Sequence, residues 1–594
     1  FVDPPLQESN DMARVASNIE PLHREYNLSG DGVTALVYDI GKADSNHPDF
    51  GERIIEQDNS PVQEHATHVT GTLGGSGINS DGEDANGREN GGTSGQWQGM
   101  APDIMIRSFG FASNSNSPPL FNDGSNMEDD FTRAILNGTD LATMSLNTNI
   151  ISNGYDCKML GDYVHTPVLI DKIVNGTIGG QRLLFFESVG NERQGSNSHC
   201  GQASTISPPA SAKDSIAVGA INADNKSITG FTSFGPTKDG RLKPDIVAPG
   251  CTSNNAGIIS TGLDKGYVSM CGTSMAAPIA AGAAALLIQE WHLIHEQDER
   301  PLPPHTVKAI LIHTATDLGA PGPDYKFGWG ALDAKSAIDL VRADKYEHLI
   351  KIDSVIEDQS NSYQIISDGN HIVKATLVWD DPAGTRLTSK NLVNDLDMRL
   401  TDPSGKTYKP FVLNPHEPER NAVRGNDDTN NVEMITGDAS RGTWTLTVNG
   451  TSISDGTQEY TVITSEGPDE KTMTVSMDKS QYNHNDSATI TVNSGLGPGQ
   501  NIGINIVDPT GDIHPIGSSQ TDSTGSVSLD FEIPADFPTG TYQLIANSES
   551  TAASDHRYMT FEVVPEFGPI SAMVFVTAVI FTLFLTRART VSKI

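Results

Sequence analysis

The chain has 594 residues, and at roughly 100–200 residues per domain it is expected to fold as several units. Its 39 Lys and Arg stand against 75 Asp and Glu, a formal charge of −36, and so anionic a surface argues against nucleic acid or acidic lipid as the main partner.

From about Asn10 to Ala343, short apolar runs alternate with amphipathic or Ala-rich stretches: TALVYD (34–39), DLATMSL (140–146), RLLFFES (182–188) and SIAVGAI (215–221). Continuous apolar strands between helical segments predict a parallel sheet covered on both faces, so residues 10–345 are expected to be α/β. Three segments within this half carry candidate chemistry. In VYDIG (37–41), Asp39 ends an apolar strand at the carboxyl edge, where open α/β sheets place their ligands. Taken alone, such an Asp is more often a turn residue. In EHATHVTGTLGG (64–75), His65 sits at the expected start of a helix. His68 follows three residues later, but no acidic residue lies between the two as in HExxH and no third ligand is evident, which argues against a zinc pair. In MCGTSMAAPIAAGAAALLIQEW (270–291), Ser274 stands where a Gly-containing turn enters an Ala-rich helix, whose N-terminal N–H groups and positive potential suit an oxyanion. An ordinary capped core helix is the commoner source of that pattern.

After Lys345 the texture changes to Thr/Val/Ile alternation with Gly and Asp-Pro turns, as in KATLVWDDP (374–382) and GTWTLTVNG (442–450), which predicts a β-sandwich over 346–466. The acidic SEGPDEK stretch (465–471) reads as a linker, and a second, immunoglobulin-like β unit is expected over 470–564. Ile570 to Thr586 form an uncharged apolar run followed by Arg587, Arg589 and Lys593. The run meets the minimum of about 17 residues for a spanning helix, and its basic flank predicts a cytoplasmic tail with the body outside the cell. No signal peptide is visible ahead of Phe1, so removal of an upstream targeting segment is expected. Four cysteines without zinc-ligand spacing fit an exported, disulfide-bonded chain, and closeness in sequence favours Cys157 with Cys200 and Cys251 with Cys271. Four free thiols are the alternative.

Taken together, GTSMAAP, the upstream HATHVTG and the VYDIG strand resemble the subtilase family of serine peptidases, in the chain order Asp, His, Ser. GMAP (99–102), TSFGPTKDGRLKPDIVAPG (232–250) and GWGALDA (328–334) extend the likeness over about residues 10–345. The resemblance implies a subtilisin-like catalytic domain, with Ser274 as nucleophile, His65 as general base and acid, and Asp39 orienting the imidazole. SVGNER (188–193) matches the family's oxyanion segment and assigns Asn191 as a side-chain donor. Ser145, Leu146 and Asn147 correspond to the strand that pairs with substrate, and Ser188, Val189 and Gly190 to the wall of the pocket for the side chain before the cut. Glu192, beside that pocket, gives an expectation of basic side chains there.

No cofactor is implied for the chemistry. Structural calcium is an expectation of the resemblance, with Asp49, Asp395 and Asp397 as candidate ligands, although Asp in β-turn contexts is usually turn chemistry. Residues 346–466 resemble the C-terminal jelly-roll domain of larger subtilases, and residues 1–9 a propeptide junction. PEFG (565–568) with the apolar run and basic tail (565–594) resembles archaeal sorting signals, which implies processing by an archaeosortase-like enzyme as an alternative to a plain anchor helix. Protein or peptide substrates and a cell-surface location follow from the same resemblance. Three positions depart from the family pattern: Ile40 for Thr or Ser, Ala66 for Gly, and Asn147 where Gly is common, the last expected to narrow the cleft. With the two appended β domains, Ile40 and Ala66 motivate one competing reading, a catalytically impaired scaffold used for binding or adhesion.

Overall fold

The computed structural model describes residues 9–111, 124–148, 150, 154–193, 204–295, 302–454, 456–465, 473–494, 499, 501–510, 512–522, 526–548 and 556–564. The chain divides into two compact units, residues 1–468 and 469–594.

The first unit is built on strands β1 (Thr34–Asp39), β2 (Ile54–Glu56), β3 (Met105–Gly110), β4 (Leu141–Met144), β5 (Leu184–Ser188), β6 (Ile216–Asn222) and β7 (Ile246–Cys251). They form one sheet in the order β2-β3-β1-β4-β5-β6-β7, and every neighbouring pair is parallel. The apolar runs expected as strands fall on β1, β4, β5 and β6, whose residues are almost all buried because helices cover both faces. Among the described residues eight α-helices accompany the sheet: α1 (Ser9–Ala16), α2 (Glu20–Arg24), α3 (Glu64–Gly74), α4 (Gly124–Leu136), α5 (His165–Val174), α6 (Thr273–Ile294), α7 (Pro304–Thr314) and α8 (Ala334–Glu347). One apolar core joins α3, α6, α7 and α8 to one face, and a second joins Met127 and Phe131 of α4 with Leu169 and Ile170 of α5 to the other.

Among the described residues, α6 alone is long and apolar enough to cross a membrane, yet it is buried against the sheet. Its run of Ala allows that close approach: a Cβ on Gly282 would lie 2.3 Å from Met100 Cβ. The apolar run 570–586, the PEFG motif and the basic tail lie outside the described residues, as do most of the linker and residues 1–8.

The same unit contains a β-sandwich. One sheet runs Ile350–Val355, Gln458–Thr464, Lys374–Val378, Val432–Thr436, and the other Ser360–Ser367, Gly442–Ser452, Asp395–Thr401, Thr407–Tyr408, with adjacent strands antiparallel. Trp379, Trp444, Met398 and Leu446 fill the space between them. In the second unit the described residues form a three-stranded and a five-stranded sheet around Ile490, Ile504, Tyr542 and Phe561.

The sandwich is joined to the parallel-sheet region by buried polar contacts. Lys213, fully buried, is ion-paired with Asp381 and donates to the carbonyls of Pro382 (2.5 Å) and Asn391 (3.0 Å). In return Asp214 accepts from the Asp381 amide (2.9 Å) and from Asn431 (3.0 Å). Removing one member of a buried pair strands the other, at a cost of about 3–5 kcal/mol. Lys213→Ala is therefore expected to lower unfolding stability by about that amount in a denaturant titration of the full chain; a change below about 1 kcal/mol would show that this contact does not hold the sandwich to the sheet.

Candidate active site

The three chemistry-bearing side chains come from elements far apart in sequence. Asp39 is the last residue of β1, a central strand, and is fully buried. Its carboxylate meets His65 Nδ1 at 2.9 and 3.0 Å through its two oxygens, and Oδ1 also accepts the Ile40 amide at 2.7 Å. The Ile40 side chain has no hydroxyl to offer Asp39, and the donor at this position is the backbone amide. His65 is the second residue of α3, and the small residues after it let the helix lie close to its neighbours. At Gly71, for instance, a Cβ would stand 2.0 Å from Thr261 Oγ1. Ala66 is accommodated and fully buried. Burial works against the charged form of His65, but the charge of Asp39 and its hydrogen bond outweigh it, and the imidazole pKa lies above its ordinary value.

His68 plays a different role. Its Nε2 meets the Ile258 carbonyl at 2.8 Å, and burial pushes its pKa down to about 4, so it is a neutral internal tie rather than a partner to His65.

Ser274 is the second residue of α6. Pro278, four residues on, has no N–H to offer the Ser274 carbonyl, which accepts Ser145 Oγ instead at 2.9 Å. Ser274 Oγ donates to the Ser145 carbonyl at 3.3 Å, so the two serines are doubly linked and the hydroxyl is turned toward the strand end rather than bonded to His65. Asn191 Oδ1 accepts both the amide (3.0 Å) and the hydroxyl (3.1 Å) of Thr273. With its oxygen so fixed, the side chain is left to present Nδ2 as a donor. A cavity of about 210 Å³ is lined by Ile40, His65, Ser145, Leu146, Asn147, Asn191, Glu192 and Ser274.

Ser188, Val189 and Gly190 lie beside this cavity without lining it. Asn147 is bonded across to Ser188 in both directions, and Glu192 Oε1 accepts the Ile150 amide at 2.6 Å and Ser207 Oγ at 3.3 Å. One oxygen of the Glu192 carboxylate, the side chain expected to favour basic residues, is thereby engaged at Ile150 and Ser207. Neither cross-tie has a motif of its own; Pro278 is the one sequence signal that Ser274 would have a spare carbonyl.

The candidate calcium ligands differ in how their oxygens are used. Both oxygens of Asp49 accept Tyr267 Oη at 2.8 Å, and they also take the amides of Gly77 (3.0 Å) and Asn79 (3.1 Å). Three donors on one carboxylate leave it little room to hold a cation as well. In the sandwich Asp397 is bonded to Arg399 and Thr451, while Asp395 Oδ1 is buried without a partner and burial pushes its carboxyl up to about 6. Among the described residues no group of three or more His, Cys, Asp or Glu is arranged to hold a metal ion. Cys251 and Cys271 form a disulfide; Cys157 is also disulfide-bonded, and its expected partner Cys200 lies outside the described residues.

The subtilase family model matches residues 29–330, just over half of the chain. The serine protease/ABC transporter B family protein tagA of Dictyostelium discoideum is 31% identical over 261 residues, which cover 39% of this chain and 15% of that protein. Serine protease AprX of Bacillus subtilis is 27% identical over 352 residues, 55% of this chain and 71% of the relative. The human membrane-bound transcription factor site-1 protease is 27% identical over 332 residues, 53% of this chain and 26% of the relative. This chain therefore spans only a minor share of the first and third of these relatives. A solved lanthipeptide protease is 20% identical, covering 56% of this chain and 96% of its own, with a TM-score of 0.39. The chain belongs to the subtilase family.

Proposed function

We propose that this protein is an extracellular serine endopeptidase that cleaves peptide bonds through an acyl-enzyme. The observation that carries the reading is the double contact of His65 Nδ1 with Asp39 beside a cavity onto which His65, Ser274 and Asn191 all open. Asp39 fixes the imidazole with Nδ1 protonated and Nε2 free to accept. Ser274 Oγ leaves the Ser145 carbonyl, attacks the scissile carbonyl carbon and gives its proton to Nε2. Charge then develops on the substrate oxygen, where Asn191 Nδ2 and the Ser274 amide at the start of α6 are the donors. Collapse breaks the C–N bond as Nε2 returns the proton to the leaving amine, and a water activated by the same nitrogen releases the acid and frees Ser274.

The disulfide supports an oxidising compartment, and the C-terminal apolar run with its basic flank supports anchoring at the cell surface.

Asn191→Ala provides a test that leaves Asp39, His65 and Ser274 in place. On a peptide amide substrate kcat is expected to fall about 10²–10³-fold with KM little changed, since the donor acts on charge formed only in the transition state. An unchanged kcat would remove Asn191 from the reaction.

A further inference from the structure

The strand ends beside Ser274 are closed to one another in a way the reaction itself does not need. β4 and β5 are parallel neighbours with Met144 opposite Glu187, so the residues that follow, 145–147 and 188–190, leave the sheet side by side. The subtilase resemblance assigns 145–147 to the strand that pairs with substrate and 188–190 to the wall of the pocket for the side chain before the cut, so on the peptidase reading that slot lies between these two strand ends. Here the slot is bridged: Asn147 Nδ2 donates to the Ser188 carbonyl at 2.6 Å, and Ser188 Oγ donates back to Asn147 Oδ1 at 2.6 Å. Ser188 is fully buried behind this bridge, and Asn147, not residues 188–190, faces the cavity. Glu192 Oε1 accepts the Ile150 amide, three residues beyond Asn147.

We propose that the Asn147–Ser188 pair shutters this slot and restricts the enzyme to small, uncharged side chains before the cut, such as Gly, Ala and Ser. The inference rests on the peptidase reading above. A large side chain has to break both short hydrogen bonds and strand a buried carbonyl and hydroxyl of Ser188, a penalty that a small one avoids. A cationic side chain meets the same penalty, and Glu192 Oε1, on the cavity wall, already accepts from Ile150 and Ser207. Selection follows from differential transition-state binding, and unpaired polar groups discriminate more strongly than missing methylenes do.

The test uses the matured full chain and peptide amides that differ only in the residue before the cut: Ala, Leu, Phe or Lys. For the wild type kcat/KM is expected to be at least about 100-fold higher after Ala than after Phe. Asn147→Gly is expected to shrink that ratio by about 10-fold or more, and Ser188→Ala, which removes half of the bridge, to shift it in the same direction by less. Ser188→Ala also serves if the Gly variant does not fold, as judged by its thermal transition. A wild type that cleaves after Phe or Leu as well as after Ala overturns the shutter, and so does a ratio unmoved in both variants. Fluorophosphonate labelling of the wild type separates the two failures: a labelled enzyme that prefers Phe loses only the shutter, whereas an unlabelled protein that cleaves none of the four loses the peptidase reading and the shutter with it.

Discussion

Ser274→Ala is expected to lower kcat on a peptide amide by at least about 10⁴-fold while leaving KM nearly unchanged. The variant keeps the α6 N-terminus, Asn191 and the cavity walls, so substrate still binds and the oxyanion donors still act, but no covalent intermediate forms. Some activity above the uncatalysed rate should survive from those donors alone, a magnitude taken from triads of this kind rather than from this chain. The Ser274 carbonyl bond to Ser145 Oγ is untouched by the change, and the helix start is therefore expected to remain folded. Loss of activity together with a large drop in melting temperature would contradict that expectation, and single-turnover kinetics with circular dichroism on the same sample distinguishes the cases.

Asp39→Asn is expected to be nearly as damaging, at about 10⁴-fold in kcat, because an amide facing Nδ1 can hold the imidazole in the wrong tautomer. This substitution also carries a pH signature. The neutral form of His65 is the reactive one, so kcat/KM falls as pH drops through the imidazole pKa, which in the wild type lies above its usual value. Burial alone pulls that pKa down; Asp39's charge and hydrogen bond reverse the sign. Without the carboxylate, the acid limb of the residual activity is expected at lower pH than in the wild type. An acid limb that stays in place would mean that Asp39 does not set the protonation of His65.

Much of the first unit is legible in the sequence because its strands are buried on both faces. β1, β4, β5 and β6 therefore read as continuous apolar runs, and Asp39 announces itself as the acidic stop of one of them. His65 and Ser274 are legible for a related reason: both sit where small residues let a helix start against the sheet edge. The edge strand β2 is a three-residue stretch, partly exposed, with no pattern to mark it. Asp49 illustrates a different limit. In sequence it has the look of a cation ligand, but the hydroxyl that takes both its oxygens comes from Tyr267, 218 residues away. The link from Lys213 to Asp381 spans 168 residues and the Asn147–Ser188 bridge 41, and local pattern carries no information about pairings that only the tertiary fold brings together. The sandwich is legible as β-rich alternation, but its attachment to α7 through His305, Thr306 and Thr461 is not.

Catalysis through an acyl-enzyme requires Ser274 to be a nucleophile activated by His65. The most direct measurement is therefore stoichiometric labelling of the matured chain with a fluorophosphonate, followed by mass mapping of the modified peptide, with Ser274→Ala alongside. One label per chain on Ser274, with none on the variant, is the predicted result. A folded wild type that stays unlabelled, or that carries its label elsewhere, would contradict the assignment and give the binding-scaffold reading the stronger claim.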